Sequence, residues 1–197
     1  MFLEPVVLSI TVAKLKGGHL KNLENVYIRG WYLFLIAALV QGLLSIGKKM
    51  DIALANKILE GYSVYIILFT FFLMIVSIIL NIKKNYMKLL LIGLVLNLIV
   101  MVGNGGKMPV FLNGIEGIRD EISVDAQLPQ KEFDIKHEAA DKNTKFICLA
   151  DIILIPKPYP LPKILSIGDI FLMLGAFQFF QEEMVVHKKA YMSLNIQ

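Results

Sequence analysis

An all-α bundle of about five membrane-spanning helices, with one polar extracytoplasmic loop between the fourth and fifth, is the architecture this sequence predicts. Three observations predict it. Of 197 residues, 56% are hydrophobic, only 18% are charged, and mean hydropathy is +0.65, whereas soluble domains carry about 25% charged residues. The apolar residues are also clustered: Gly30–Gly47, Gly61–Ile82 and Leu89–Gly106 contain no formal charge, and about 20 such residues cross a hydrocarbon core ~30 Å thick. Finally, lysines flank the apolar runs, which is how membrane helices are oriented. This balance excludes a disordered chain, which needs low hydrophobicity.

The first span, about Phe2–Ala13, is short. Twelve residues reach roughly 18 Å, so it must thin the bilayer or extend into its flanks. It contains Glu4 and Pro5, and basic residues follow it, which is not the pattern of a cleavable signal peptide. The second span is Trp31–Ile46, anchored by Trp31 and Tyr32. The third is Tyr62–Ile82, the fourth Leu89–Val102 after Tyr86, and the fifth Ile164–Gln181, interrupted by Asp169. All belong to one integral membrane domain, 1–197, with the polar loop at about 107–162.

Orientation follows from the basic residues. With the amino terminus outside and the carboxyl terminus cytoplasmic, the inner segments hold Lys14, Lys16, Lys21 and Arg29, then Lys83, Lys84 and Lys88, then Lys188 and Lys189. The long outer segment Lys107–Lys163 balances its cations with acids and counts for less in this rule. Within it, Gly114–Thr144 is strongly polar and reads as a solvated cap or a mobile loop. Pro156, Pro158, Pro160 and Pro162 alternate, forcing an extended spacer before the last helix.

Net charge is +4 with a pI near 9.0, yet the cations flank spans rather than forming a stripe with interleaved aromatics. No nucleic-acid partner is expected. One cysteine, Cys148, excludes an intrachain disulfide and a multi-cysteine metal site. His19, His137 and His187 offer no ligand spacing. No metal and no cofactor are expected. Gly42–Lys49 has phosphate-loop spacing but places lysine where serine or threonine must hold magnesium. Gln41 and Asn97, inside spans, read as interhelical hydrogen bonders.

Three polar spots remain. Ser166-Ile167-Gly168-Asp169 at the start of the last span reads as a helix cap, in which Ser166 accepts from a free amide and Asp169 reaches back. A carboxylate at that depth is also a functional candidate. Asp151, in the apolar stretch Leu149–Leu154, reads as a strand-edge or turn aspartate at the interface. The alternative pairs it with Asp169, since two carboxylates sharing one proton can activate water. Asn104-Gly105-Gly106, at the outer end of span four, reads as a glycine-rich helix stop or as a group that holds a substrate carbonyl. The topology puts all three on one face of the membrane.

Asn104–Val110, Leu149–Ile153, Ser166–Asp169 with the later Gly175, and the amino-terminal Asn22–Asn25 and Arg29–Tyr32 carry a resemblance over nearly the whole chain. By these segments it resembles an uncharacterised family of bacterial polytopic membrane proteins, domain of unknown function 5317, which brings no activity with it. It is more distantly similar to the lipoprotein signal peptidases (signal peptidase II), membrane aspartic proteases. They have an asparagine-x-glycine motif on the outer face and an aspartate at the outer start of the last span; Asn104-Gly105-Gly106 and Asp169 sit comparably. That family's glycine-asparagine-x-x-aspartate-arginine motif has no counterpart here, isoleucine follows Asp151, and Ser166 stands where asparagine is expected.

The expected activity is therefore a membrane-embedded aspartic-type hydrolase at the outer face. Asp169 and Asp151 would be its catalytic pair, with Asn104, Gly105, Gly106 and Ser166 orienting the substrate. Its expected partners are membrane lipid and a membrane-anchored peptide or protein. The alternative is a non-enzymatic scaffold or sensor that uses the outer loop.

Overall fold

Apolar runs bounded by glycine and charge become helices. The structure, a computed structural model, describes residues 3–110, 137–140, 143–155 and 163–185. Five long helices account for most of it: α1 (Leu3–Leu15), α2 (Trp31–Lys49), α3 (Ala53–Ile79), α4 (Asn85–Gly103) and α5 (Ile167–Val185). The phosphate-loop look-alike Gly42–Lys49 lies within α2. The proline spacer and most of the Gly114–Thr144 segment lie outside the described residues.

The chain is mostly helical, but two expectations need correction. Among the described residues there are four short strands: β1 (Met108–Val110) pairs in parallel with β2 (His137–Ala139), and β3 (Ile153–Ile155) pairs antiparallel with β4 (Lys163–Leu165). The last helix accordingly begins at Ile167 rather than Ile164, because β4 takes the preceding residues. Among the described residues one helix, α4, is long and apolar enough to cross a membrane, while Trp31–Gly47 and Val64–Leu80 are shorter apolar segments.

The helices pack as a row in the order α2–α3–α4–α5–α1, with the α4–α5 contact the most extensive. Neighbours run antiparallel except α5 and α1, which run parallel: Ser9 Oγ donates to the Phe177 carbonyl, and Gln181 Nε2 donates to the Ser9 carbonyl. Ile67, Phe71, Ile78, Met87, Leu94 and Val100 lie at the centre of the core. Between α4 and α5 the backbones approach through small residues. A Cβ at Gly93 would lie 2.6 Å from the Gly168 carbonyl oxygen, and one at Gly175 would lie 2.8 Å from Leu90 Cγ. Gly168 and Gly175, seven residues apart, thus put one flat stripe of α5 against α4.

The row has two chemically different ends. One holds the C-terminus of α4 and the N-terminus of α5, with the strands beside them. At the other, Lys84 Nζ pairs with Glu183 at 2.8 Å, and Tyr86 donates to the same carboxylate at 2.6 Å.

Candidate functional site: a carboxylate pair at the strand end

Ser166 is the residue before α5, and Asp169 is its third helical position. The Asp169 amide donates to Ser166 Oγ at 2.9 Å, and the Ser166 amide donates to Asp169 Oδ2 at 3.2 Å. These reciprocal bonds satisfy two amides that a helix start would otherwise leave open. Asn97, in the middle of α4, completes the set: its Nδ2 donates to Asp169 Oδ1 at 3.0 Å, and Ser166 Oγ donates to its Oδ1 at 3.0 Å. Ser166 is fully buried and Asp169 is 8% exposed. Both Asp169 oxygens act as acceptors, one from the Ser166 amide and one from Asn97 Nδ2.

Asp151 reaches the same end by another route. Its amide donates to the Pro109 carbonyl at 3.0 Å, and it bridges Val110 in parallel register. Asp151 is therefore a strand-edge aspartate, but a buried one, 3% exposed. Burial, and secondarily the charge of Asp169, push its carboxyl up from the ordinary 3.8 to about 7. A carboxyl raised on folding binds its proton more tightly when folded, so its stabilisation is complete below about pH 4 and is lost as pH rises through about 7. Stability is expected to fall between those values by about 1.4 kcal/mol per unit of the raise. Asp151→Asn should flatten that slope in unfolding curves taken across the range.

Asn104 closes α4. Gly105 and Gly106 follow with φ of 68° and 89°, and the Gly106 amide donates to the Met101 carbonyl at 2.7 Å. This left-handed exit satisfies a terminal carbonyl as glycine alone does cheaply. Gly106 also abuts Val64 of α3, whereas Gly105 faces open space. The Asn104 amide is occupied: Nδ2 donates to the Val100 and Lys145 carbonyls at 2.8 and 3.0 Å, and Oδ1 accepts from the Lys145 amide at 2.9 Å. Asn104 thus clamps the backbone of the segment leading to Asp151. Phe146, at φ 55°, turns its ring over Gly103.

The structure thus joins Ser166 to Asp169 directly and brings Asp151 within reach of the Asp169 charge. It places Asn104 where it holds the segment leading to Asp151 to the end of α4, with Gly105 in open space and Gly106 against Val64 of α3. Asn97 is the member that sequence reasoning left outside the site. Its signal was a lone amide within an otherwise apolar span, and the structure gives it the interhelical bonds such a residue predicts. Among the described residues, no group of three or more His, Cys, Asp and Glu side chains is placed to hold a metal ion.

Comparisons with known proteins agree on kinship and are silent on chemistry. No solved structure matches the chain. A Thermotoga maritima protein, named only as an uncharacterized protein, is 31% identical over 180 residues, covering 91% of this chain and 88% of the relative. The model of a family of unknown function, DUF5317, matches residues 25–181. By that match, which runs from the turn before α2 into the last turns of α5, the chain belongs to the DUF5317 family.

Proposed function

We propose that this protein is a multi-pass membrane protein, amino terminus outside and carboxyl terminus cytoplasmic, that carries an aspartic-type hydrolase site at the outer membrane face. The multi-pass reading is supported by the helix surfaces. Only 33% of the apolar window of α4 is buried, and Leu8, Leu43, Phe72 and Ile92 on four helices point outward. Apolar area on that scale needs a cover, and lipid supplies it. Lys14, Lys16, Lys21, Arg29, Lys83 and Lys88 gather at the end opposite the carboxylates, the cytoplasmic end by the distribution of positive charge.

One observation carries the chemical reading: two buried aspartates, Asp169 at the start of α5 and Asp151 beside β1, stand at one end of the bundle. Asp169, held by two donors as an acceptor-only group, is the base. It takes a proton from water as the water oxygen attacks the carbonyl carbon of a membrane-anchored peptide. Asp151 holds the shared proton and delivers it to the carbonyl oxygen. Collapse of the tetrahedral species then breaks the C–N bond, with a proton returned to the leaving amine.

A second reading, a scaffold or sensor built on the outer loop, is favoured by how completely Ser166, Asn97 and Asp169 satisfy one another, and by the Asn104 amide being taken up by the Val100 and Lys145 backbone. The two readings separate in one assay. Purified protein in detergent is given a fluorescence-quenched transmembrane peptide. Asp151→Asn and Asp169→Asn are each expected to reduce turnover at least about a hundredfold, the usual worth of a general acid or base. Turnover unchanged by both substitutions, or absent from the wild type, would leave the scaffold reading standing.

A further inference from the structure

α1 and α2 are consecutive in sequence, yet they occupy opposite edges of the row. The segment between them must therefore cross the whole end of the bundle. It does so as a strap pinned at two places. Near α5, the His19 amide and Asn22 Nδ2 donate to the Met184 carbonyl at 3.2 and 2.6 Å. Near α3, Asn81 accepts from the Arg29 amide at 2.9 Å and donates back to the Arg29 carbonyl at 2.8 Å, while Ser77 Oγ donates to the Gly30 carbonyl at 3.1 Å. These pins use the strap's backbone and one amide side chain. Of its other side chains, Ile28 packs against the core, while several charged, aliphatic and aromatic ones face outward.

What faces outward is of two kinds. Lys16, Lys21 and Arg29 are exposed; so are Leu20, Tyr27 at 72% and Trp31 at 59%. Lys83 and Lys88 lie exposed on the adjoining helix ends. Opposing charge is sparse: Glu24 is exposed, but Glu183 is paired with Lys84, and Glu182 accepts from Gln178. Exposed cations at this end of the bundle, with Leu20, Tyr27 and Trp31 exposed among them, match the depth at which headgroups meet acyl chains.

We infer that the strap 16–31 is a binding surface for anionic phospholipid headgroups, lying in the cytoplasmic headgroup layer and selecting acidic lipids around the bundle. The inference rests on the multi-pass reading but not on the hydrolase site.

Trp31 is the sequence's single tryptophan and sits at the end of the strap, so its fluorescence reports this surface alone. The full chain is reconstituted in phosphatidylcholine vesicles doped with either phosphatidylglycerol or phosphatidylcholine spin-labelled at a shallow acyl position. Labelled phosphatidylglycerol is expected to quench Trp31 more strongly, since each basic side chain at a leaflet surface enriches acidic lipid by about fivefold at low salt. The preference should vanish in a K16Q/K21Q/R29Q variant and fade in wild type as salt rises. The salt titration needs no variant, so a folding defect in the triple mutant would not blunt the test. Soluble glycerol phosphate should not compete, which separates a headgroup in a bilayer from a free phosphate. Equal quenching by the two lipids would overturn the strap inference and leave the multi-pass reading intact. No quenching by either would overturn both.

Discussion

Gly168→Ala is expected to destabilise the fold by about 2–4 kcal/mol, from overpacking plus lost buried hydrogen bonds. The added methyl would land on Asn97 Oδ1 and lie 2.8 Å from the Gly93 carbonyl oxygen. If Asn97 turns away, it abandons both Ser166 and Asp169. If the helices part instead, the tightest contact in the row opens and leaves a void. Either response is costly, and the backbone oxygen of Gly93 leaves no cheap third one. Thermal unfolding of the purified protein, followed by circular dichroism, measures the loss. Gly42→Ala and Gly61→Ala are the controls: a methyl at either meets nothing within 4 Å, so both should be neutral or stabilising by up to about 1 kcal/mol. An unfolding midpoint for Gly168→Ala equal to that of the controls would mean that α4 and α5 do not approach as described.

Asp169→Ala should cost a comparable amount, about 2–4 kcal/mol. It removes a helix-start partner, worth about 0.5–2 kcal/mol. It also leaves the buried Ser166 amide and Asn97 Nδ2 without the acceptors they now have, at about 1–3 kcal/mol for a stranded donor. Asp169→Asn keeps an acceptor oxygen in reach and should cost distinctly less. Amide exchange at Ser166 is the local readout: it should accelerate in the alanine variant well before the rest of α5 does. The pair of substitutions also separates structure from chemistry. A folded Asp169→Asn protein without turnover would assign the carboxylate a chemical role, and full turnover would confine it to capping.

The five helices were legible because hydropathy and glycine mark them, but their ends were legible only where apolarity and helicity stop together. Trp31 was such a place. The reading from Tyr62 missed the start of α3 at Ala53 because the turns holding Lys57 and Glu60 are helical without being apolar. α4 likewise runs back past Lys88 to Asn85, since a lysine at a hydrated helix end does not interrupt the backbone ladder. The strands were illegible for another reason: each has three residues, too few to show an alternation.

At the site, the link between Ser166 and Asp169 could be read from their spacing, since reciprocal capping has a local signature. The part played by Asn97 could not, because it depends on which face of α4 meets α5, and that is decided by Gly93, Gly168 and Gly175 together. Nor could spacing tell that the Asn104 amide would be consumed by Lys145, a residue far along the chain whose own side chain plays no part in the bond.

The helix order bears on how the molecule is made. The neighbour of α1 is α5, the last of the long helices to leave the ribosome. At roughly 5–20 residues per second of synthesis, α1 waits on the order of ten seconds before Phe177 and Gln181 arrive to meet Ser9. Until then its Ser9 hydroxyl and carbonyl face whatever surrounds the nascent chain, while α2, α3 and α4 already pair as they emerge. Assembly therefore completes from the carboxyl side, and a message truncated before α5 would strand the amino-terminal helix with nothing to pack against.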